Sequence, residues 1–282
     1  MTVTDYYLPA SLPEALGLLD RHGPELLVMA GGTVAMPLIN EGISLPGRVM
    51  GLRKAGLDGI SRTPDGVRIG ATTTLTTLAE QDAIPLLAEA AARTASWSVR
   101  NMGTVGGNLF TPPPGGDIAV ALLALDATVV VASLRGERSI AVADFFTGFM
   151  TTGLALDEIV TAIVVPTGAG AGVFAKLGRK AANTPAVVTV AVRAGADGER
   201  LRDVRIALGA VGPYPMRACE AETVLEGRTP DADAIARAVA AAVAACEPFS
   251  DAVASDWYRR RMTGVITGRA LEQLASRIGR GA

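Results

Sequence analysis

Cysteine and histidine are nearly absent from this sequence, and their scarcity excludes several kinds of site. The only representatives are Cys219, Cys246 and His22. The two cysteines are far apart, so they form neither a CxxC metal pair nor a disulfide framework, and an iron–sulfur cluster needs about four thiolates. His22 stands at the expected end of a helix without visible partners for acid–base chemistry. We therefore predict no catalytic residue and no metal ligand in this chain.

Strong net charge and long apolar runs are also missing. The formal net charge of −2 gives no general attraction to nucleic acid or to an anionic membrane. No stretch approaches about 18 consecutive apolar residues, and the start MTVTDYYLPA lacks the regions of a secretory signal. Hydrophobic residues make up 49% of the 282 positions, enough for two or three packed units. We expect a soluble, cytoplasmic protein.

The order of predicted elements indicates an α+β chain with a boundary after its middle. SLPEALGLLDRHG, with Ser11 as cap, is typical of an amphipathic helix, and ELLVMAGGT of a buried strand that enters a glycine turn. DIAVALLALD predicts an apolar helix capped by Asp117, and ATVVVASLRGERSIAVADFF predicts a hairpin. TGAGAG, residues 167–172, has the composition of a linker. Strands and then helices follow it, which predicts an antiparallel sheet with helices on one face.

Two glycine loops share the same chemistry. AGGT covers residues 30–33 and GTVGGN covers residues 103–108, and each combines exposed backbone N–H groups with a threonine hydroxyl. Successive N–H groups in a turn form an anion site, so two such loops suit the two phosphates of a dinucleotide. Neither loop is the G-x-G-x-x-G or the G-x-x-x-x-G-K-[ST] fingerprint. Each loop taken alone is also consistent with an ordinary tight turn.

Four segments in order give the chain a family likeness. LLVMAGGTVAMPLIN, VRNMGTVGGNLFTPPPGGD, ADFFTGFMTTGLALDEIV and FAKLGRKAANTPAVVTVAVRA together resemble the FAD-binding medium subunit of molybdenum hydroxylases. These are the carbon monoxide dehydrogenase and xanthine dehydrogenase type enzymes. With the ending YRRRM…RAL, the likeness covers nearly the whole chain. The resemblance implies a flavin domain of the vanillyl-alcohol-oxidase (PCMH) type made of two α/β subdomains, followed by a C-terminal α+β domain.

The resemblance also implies domain limits and FAD contacts. The expected units are residues 1–56 and 57–168, which together bind FAD, and residues 172–282. The implied FAD-binding residues are Met29, Ala30, Gly31, Gly32, Thr33, Val34, Ala35, Met36, Thr104, Val105, Gly106, Gly107, Asn108, Asp117, Ile159, Val160 and Lys176. Simpler roles stay open for three of these: Asp117 as a helix cap, Lys176 as a solvated strand residue and Val160 as core.

The implied function is that of an electron-transfer flavoprotein subunit of an oxidoreductase. A large partner would hold the molybdenum cofactor and oxidise the substrate, and a small partner would hold 2Fe–2S clusters. Electrons would pass through FAD on this chain to a quinone, NAD or oxygen. The expected assembly is a dimer of heterotrimers in the cytoplasm, or at the inner face of the membrane with a quinone acceptor. A free-standing FAD oxidoreductase and a cofactor-free structural subunit stay open as alternatives.

The sequence departs from the family pattern between Asn108 and Asp117. Relatives usually carry small residues and one proline there, whereas this chain has LFTPPPGG. Three prolines stiffen the segment and two glycines restore freedom directly before Asp117. The path of Pro112–Pro114 is therefore not predicted.

Overall fold

The computed structural model describes residues 3–112, 116–168 and 170–281 of the chain, with no side-chain description at 280 and 281. Most of the Pro112–Pro114 segment lies outside these residues. Within the described ranges the chain builds three units, each with a main sheet, and a small two-stranded sheet adds to the second unit. The domain limits given above stay predictions.

The first unit is a small parallel sheet covered by one helix. Its elements are β1 (Asp5–Tyr7), α1 (Leu12–His22), β2 (Leu26–Met29), α2 (Ala35–Asn40) and β3 (Arg48–Gly51), with the sheet in the order β1-β3-β2. The Ser11 hydroxyl accepts the Glu14 N–H and caps α1, as the sequence predicts. The buried face of α1 packs against Leu26 and Met50. Strand β1 has no counterpart among the predicted elements.

The second unit is a five-stranded antiparallel sheet with helices on one side. The strands lie in the order β4-β5-β10-β6-β7. The elements are β4 (Ile60–Thr63), β5 (Gly66–Gly70), α3 (Leu75–Glu80), α4 (Pro85–Arg93), α5 (Trp97–Arg100), α6 (Val105–Asn108), α7 (Asp117–Ala124), β6 (Thr128–Ser133), β7 (Gly136–Ala141), α8 (Val142–Phe145), β8 (Phe146–Gly148), β9 (Thr151–Thr152) and β10 (Ile159–Val165). The predicted hairpin corresponds to β6 and β7.

The third unit is an antiparallel sheet in the order β11-β12-β13-β14. Its elements are β11 (Ala171–Gly178), β12 (Ala186–Asp197), β13 (Arg200–Gly209), β14 (Met216–Arg217), α9 (Cys219–Leu225), α10 (Ala232–Ala245) and α11 (Asp256–Gly281). The predicted order of strands and then helices is confirmed. None of the described helices combines the length and apolar composition needed to cross a membrane.

The sheet of the third unit is covered on both faces, not on one. On β12, Val190 and Val192 belong to the core shared with α9, α10 and α11, whereas Ala191 belongs to the core of the second unit. This alternation follows the two-residue period of a strand. The second face packs on α7, whose eight residues are all buried, as expected for a helix that is apolar all round. This packing fixes α7 between the second and third units.

Candidate cofactor-binding site

A cavity of about 950 Å³ lies where the three units meet. Its walls come from the loop after β2, the turns around α6, the approach to β10, and the connection between β11 and β12. The volume is at the upper end of the range for small-molecule sites, about 300–1,000 Å³. The lining mixes apolar side chains with backbone and a few polar groups, which is the usual composition of a cofactor pocket.

Nearly all residues predicted for the site line this cavity. The predicted residues at its wall are Met29, Ala30, Gly31, Gly32, Thr33, Val34, Ala35, Thr104, Gly106, Gly107, Asn108, Asp117, Ile159, Val160 and Lys176. Met36 and Val105 do not line it. Val105 is fully buried in the core of the second unit, and the Met36 side chain is 41% exposed. The fold therefore brings together residues that are up to 147 positions apart in sequence, from Met29 to Lys176.

The first glycine loop offers unbonded backbone donors. The N–H groups of Gly31, Gly32 and Thr33 donate to no acceptor among the described residues. Gly32 has φ +72°, a conformation that favours glycine. Gly31 is needed for a different reason, because a Cβ there would lie 2.0 Å from the Met102 carbonyl oxygen. Unbonded backbone N–H groups beside a cavity suit an anionic ligand such as a diphosphate.

The second glycine loop uses its backbone donors internally, unlike the first. Gly106 N–H donates to the Ala71 carbonyl at 2.9 Å, and Gly107 N–H to the Thr104 hydroxyl at 3.1 Å. A Cβ at Gly106 would lie 2.8 Å from both the Cβ and the carbonyl oxygen of Ala71. Gly106 therefore allows its backbone to pack closely on Ala71, and a Cβ at Gly107 would lie 2.9 Å from the Thr104 hydroxyl oxygen. The sequence interpretation of two equivalent loops, each with exposed donors, is wrong in this respect.

Asp117 does not cap α7, which corrects the sequence prediction. Gly116, at φ +84°, occupies the N-cap position, and Asn108 Oδ1 accepts the Ile118 N–H at 3.2 Å. The capping oxygen thus comes from the second glycine loop. It ties that loop to the start of α7. The Asp117 carboxylate, in the first turn of the helix, makes a different contact.

That contact is an ion pair with Lys176 inside the cavity. Asp117 Oδ2 lies 2.5 Å from Lys176 Nζ, and the two side chains are only 6% and 10% exposed. Burial raises the pKa of Asp117 from its usual range, and the opposite charge of Lys176 works against that rise. Lys176 is therefore not a solvated strand residue. The pair joins β11 to α7 and places a positive and a negative group at the cavity wall.

Ile159 and Val160 begin strand β10 beside a bulge. The register of β10 against β6 shifts between Val160 and Ala162, and such bulges often occur next to functional sites. Ile159 packs in the core of the first unit and Val160 in that of the second. Both residues contribute to the cavity wall as well as to the core, so Val160 is a core residue that also lines the cavity, and its contact with FAD stays a prediction.

Sequence reasoning missed two polar groups at the wall. The Thr72 hydroxyl is buried without a hydrogen-bond partner among the described residues, and such a group normally has one. Glu158 accepts two hydrogen bonds from Arg138, at 2.6 and 2.7 Å, and one from the Ala155 N–H at 2.7 Å. Glu158 therefore holds the Leu154–Leu156 wall. The sequence DEIV contains this carboxylate, but only the fold shows its partners.

Glu158 gives the stability of the chain a predictable dependence on pH. Its hydrogen bonds with Arg138 lower the pKa of Glu158, although burial of the carboxylate works in the opposite direction. The ionised Glu158 carboxylate therefore stabilises the folded chain fully above the pKa of glutamate in the unfolded chain, about 4.3. This stabilisation is lost as the pH falls through the lower pKa of Glu158 in the folded chain. We expect the melting temperature of Glu158→Gln to lie below that of the parent at neutral pH and to converge with it at acidic pH. Melting curves from pH 7 to acid check this, and a pH-independent difference would contradict it.

The fold and the cavity by themselves define the class of protein. A two-unit α/β platform with a glycine loop of unbonded N–H groups, facing a large cavity, is a dinucleotide-cofactor domain without the Rossmann fingerprint. The donor set fits FAD: backbone N–H groups suit its diphosphate, and the orphaned Thr72 hydroxyl and the Lys176–Asp117 pair are polar groups within reach of the cavity.

Comparison with known proteins identifies the family. The FAD binding domain in molybdopterin dehydrogenase matches residues 2–168, and the CO dehydrogenase flavoprotein C-terminal domain matches residues 173–274. The glyceraldehyde dehydrogenase medium chain of Sulfolobus acidocaldarius is 32% identical over 96% of this chain and 98% of its own. The carbon monoxide dehydrogenase medium chain of Afipia carboxidovorans is 34% identical over 97% of both chains. Reconstituted CO dehydrogenase from Oligotropha carboxidovorans aligns with a TM-score of 0.94 and 32% identity over 98% of this chain and 99% of its own.

The chain belongs to the family of FAD-binding medium subunits of molybdopterin dehydrogenases. The resemblance drawn from the sequence, the α+β fold class, FAD as cofactor and the role of an oxidoreductase subunit are confirmed. The description of its relatives as medium chains indicates that they work in complexes of several subunits.

Proposed function

We propose that this chain is the electron-transfer subunit of a molybdenum hydroxylase, with FAD bound in the cavity between the three units. The observation that carries the proposal is the first glycine loop, which lines the cavity and whose N–H groups have no acceptor among the described residues. When bound, FAD supplies the chemistry of accepting and passing on electrons. The residues of this chain bind and orient it.

Each wall has a distinct role in holding FAD. The N–H groups of Gly31, Gly32 and Thr33 would bind the diphosphate, and Thr104 and Asn108 would add polar contacts from the second loop. Lys176 and Asp117 would fix the polar side of the cofactor. Ile159 and Val160 would give an apolar surface for the ring system. Protein groups that pack against a cofactor set its orientation and electronic environment.

The proposed division of labour places the other redox centres on partner chains. The described residues contain no cluster of His, Cys, Asp or Glu suited to a metal ion, and the whole sequence has two cysteines. We propose a small partner with 2Fe–2S clusters and a large partner with the molybdenum cofactor, assembled as a dimer of heterotrimers in the cytoplasm. A quinone, NAD or oxygen would take the electrons from FAD. With a quinone, the complex would act at the inner face of the membrane.

Spectroscopy and co-purification test this proposal. The full chain, purified and desalted, is expected to keep the visible absorption of a flavin. Expressed with its partners, it should co-purify with a large molybdenum-containing chain and a small iron–sulfur chain. Substrate of that complex should bleach the flavin band only when all three chains are present. Colourless protein would overturn FAD binding, and bleaching of the isolated chain by its own substrate would favour a free-standing oxidoreductase.

A further inference from the structure

Arg259, on α11, is a fully buried arginine that lies outside the cavity. Its side chain is 0% exposed, and its guanidinium stands 4.8 Å from the centre of the Phe249 ring. We propose that Arg259 is a positioning residue for the cofactor: it fixes the connection between β11 and β12, which forms one wall of the cavity. The inference rests on the proposed placement of FAD in that cavity.

Strand β13 ends too early to satisfy the first carbonyl groups of β12. The ladder pairs Thr189 with Gly209, and Ala210 then leaves the sheet with φ +63°. Arg259 Nη1 donates instead to the carbonyl oxygens of Ala186 at 3.2 Å, Val187 at 2.8 Å and Ala210 at 2.9 Å. Buried carbonyl groups without a partner are costly. Arg259 Nη1 thus supplies the hydrogen bonds that a longer β13 would have given to the start of β12.

One of the three residues whose carbonyl groups Arg259 binds, Ala186, belongs to the cavity wall. Ala186 lines the cavity together with Asn183, Thr184 and Pro185 of the preceding connection. This connection has no helix or strand of its own between Gly178 and Ala186, and Asn183 adopts φ +49°. Its position therefore depends on how its two ends are held. Ala186, the last residue of this wall, is held by the hydrogen bond from Arg259.

The other end of the connection is tied to the same segment of chain. Arg259 Nη2 pairs with Asp251 Oδ1 at 2.7 Å, and Arg179 Nη1 donates to the Ala252 carbonyl at 3.4 Å. Burial opposes ionisation of Asp251, but hydrogen bonds from the Ala254 N–H, Arg259 and the Val253 N–H together lower the pKa of Asp251. The segment from Phe249 to Ala252 thus anchors both ends of the wall. A planar guanidinium can serve three carbonyls and a carboxylate at once, whereas a lysine ammonium cannot keep that geometry.

The experiment compares Arg259→Lys with Arg217→Lys in the full chain. Arg217 is a partly buried arginine, 23% exposed, in an ion-pair network with Asp126 and Glu222, and it does not line the cavity. We measure the melting temperature of the FAD-free chain, the Kd for FAD from flavin fluorescence at low temperature, and hydrogen exchange at residues 178–187. Both variants are expected to melt earlier than the parent. Only Arg259→Lys should bind FAD at least tenfold more weakly and exchange faster at residues 178–187.

A second variant covers the case in which Arg259→Lys does not fold. Asp251→Asn keeps the guanidinium and removes one of its anchors at a site whose side chain is 25% exposed. It is expected to weaken FAD binding about threefold and to speed exchange at residues 178–187. Unchanged Kd and exchange in the variants that fold would overturn the role of Arg259. Failure of the parent chain and of Arg217→Lys to bind FAD would instead overturn the proposed function.

Discussion

Replacing Gly31 with alanine is expected to weaken FAD binding by about a hundredfold or more in a chain that still folds. A Cβ at this position would lie 2.0 Å from the Met102 carbonyl oxygen, 2.8 Å from its carbon and 3.0 Å from Gly103 Cα. All three are backbone atoms, so no side chain can rotate away. The first glycine loop must move away from the segment before the second loop, and its N–H groups then leave their positions at the cavity.

Gly17→Ala is the matched control for this variant. It makes the same chemical change on α1, where nothing lies within 4 Å of the added Cβ. Alanine in a helix is more stable than glycine by roughly 0.5–1 kcal/mol, so this control should keep parental FAD affinity and melt slightly later. Fluorescence titration with FAD and a melting curve for each variant give both quantities. Parental Kd for Gly31→Ala would contradict the role assigned to the first loop.

The fold follows from the sequence where the signal is local. Ser11 caps the helix that follows it, and the strands after residue 172 form the expected antiparallel sheet. Strand β1 was not predicted because Asp5–Tyr7 is too short to show a period. The second covered face of the third sheet was not predicted either. Only the packing of α7 from another unit reveals it.

The site shows the same division between local and distant information. The two loops and the positions of Asp117 and Lys176 are visible as motifs, through the family resemblance. What each residue does depends on partners far away in sequence: Gly106 packs on Ala71, and Asn108 caps the helix assigned to Asp117. Glycine in a loop indicates close approach, but the sequence does not say to what. The pattern of the second loop predicted a phosphate beside its glycines, whereas Gly106 packs on Ala71.

One carboxylate binds three arginines across the contact between the second and third units. Asp126, directly beyond α7, accepts from Arg193 Nη2 at 2.9 Å, Arg205 Nε at 2.8 Å and Arg217 Nη1 at 3.1 Å. The three arginines come from β12, β13 and β14. Burial lowers the pKa of Arg193, and the negative charge of Asp126 opposes that change. Without this carboxylate, three cations would lie close together in a partly buried interface.

Asp126→Asn is therefore expected to lower the free energy of unfolding by about 2–3 kcal/mol. Removing one partner of a buried ion pair costs about 3–5 kcal/mol, and the 34% exposure of the Asp126 side chain reduces that cost. Asparagine suits this position because Asp126 has φ +51°, which both residues tolerate. The change thus removes the charge without straining the backbone. Urea denaturation of the FAD-free chain measures the difference.

Asp157→Asn is the control for Asp126→Asn, because it makes the same chemical change at a surface ion pair. Asp157 pairs with Arg135 at the surface, where the two side chains are 38% and 66% exposed, and water compensates most of such a loss. We expect parental stability for this control. High salt should reduce the difference between the parent and Asp126→Asn only in part, because screening is weaker for buried charges. Equal losses for the two variants would show that the Asp126 network does not hold the units together. A loss confined to Asp126→Asn would show that this carboxylate stabilises the contact with the sheet that carries Lys176.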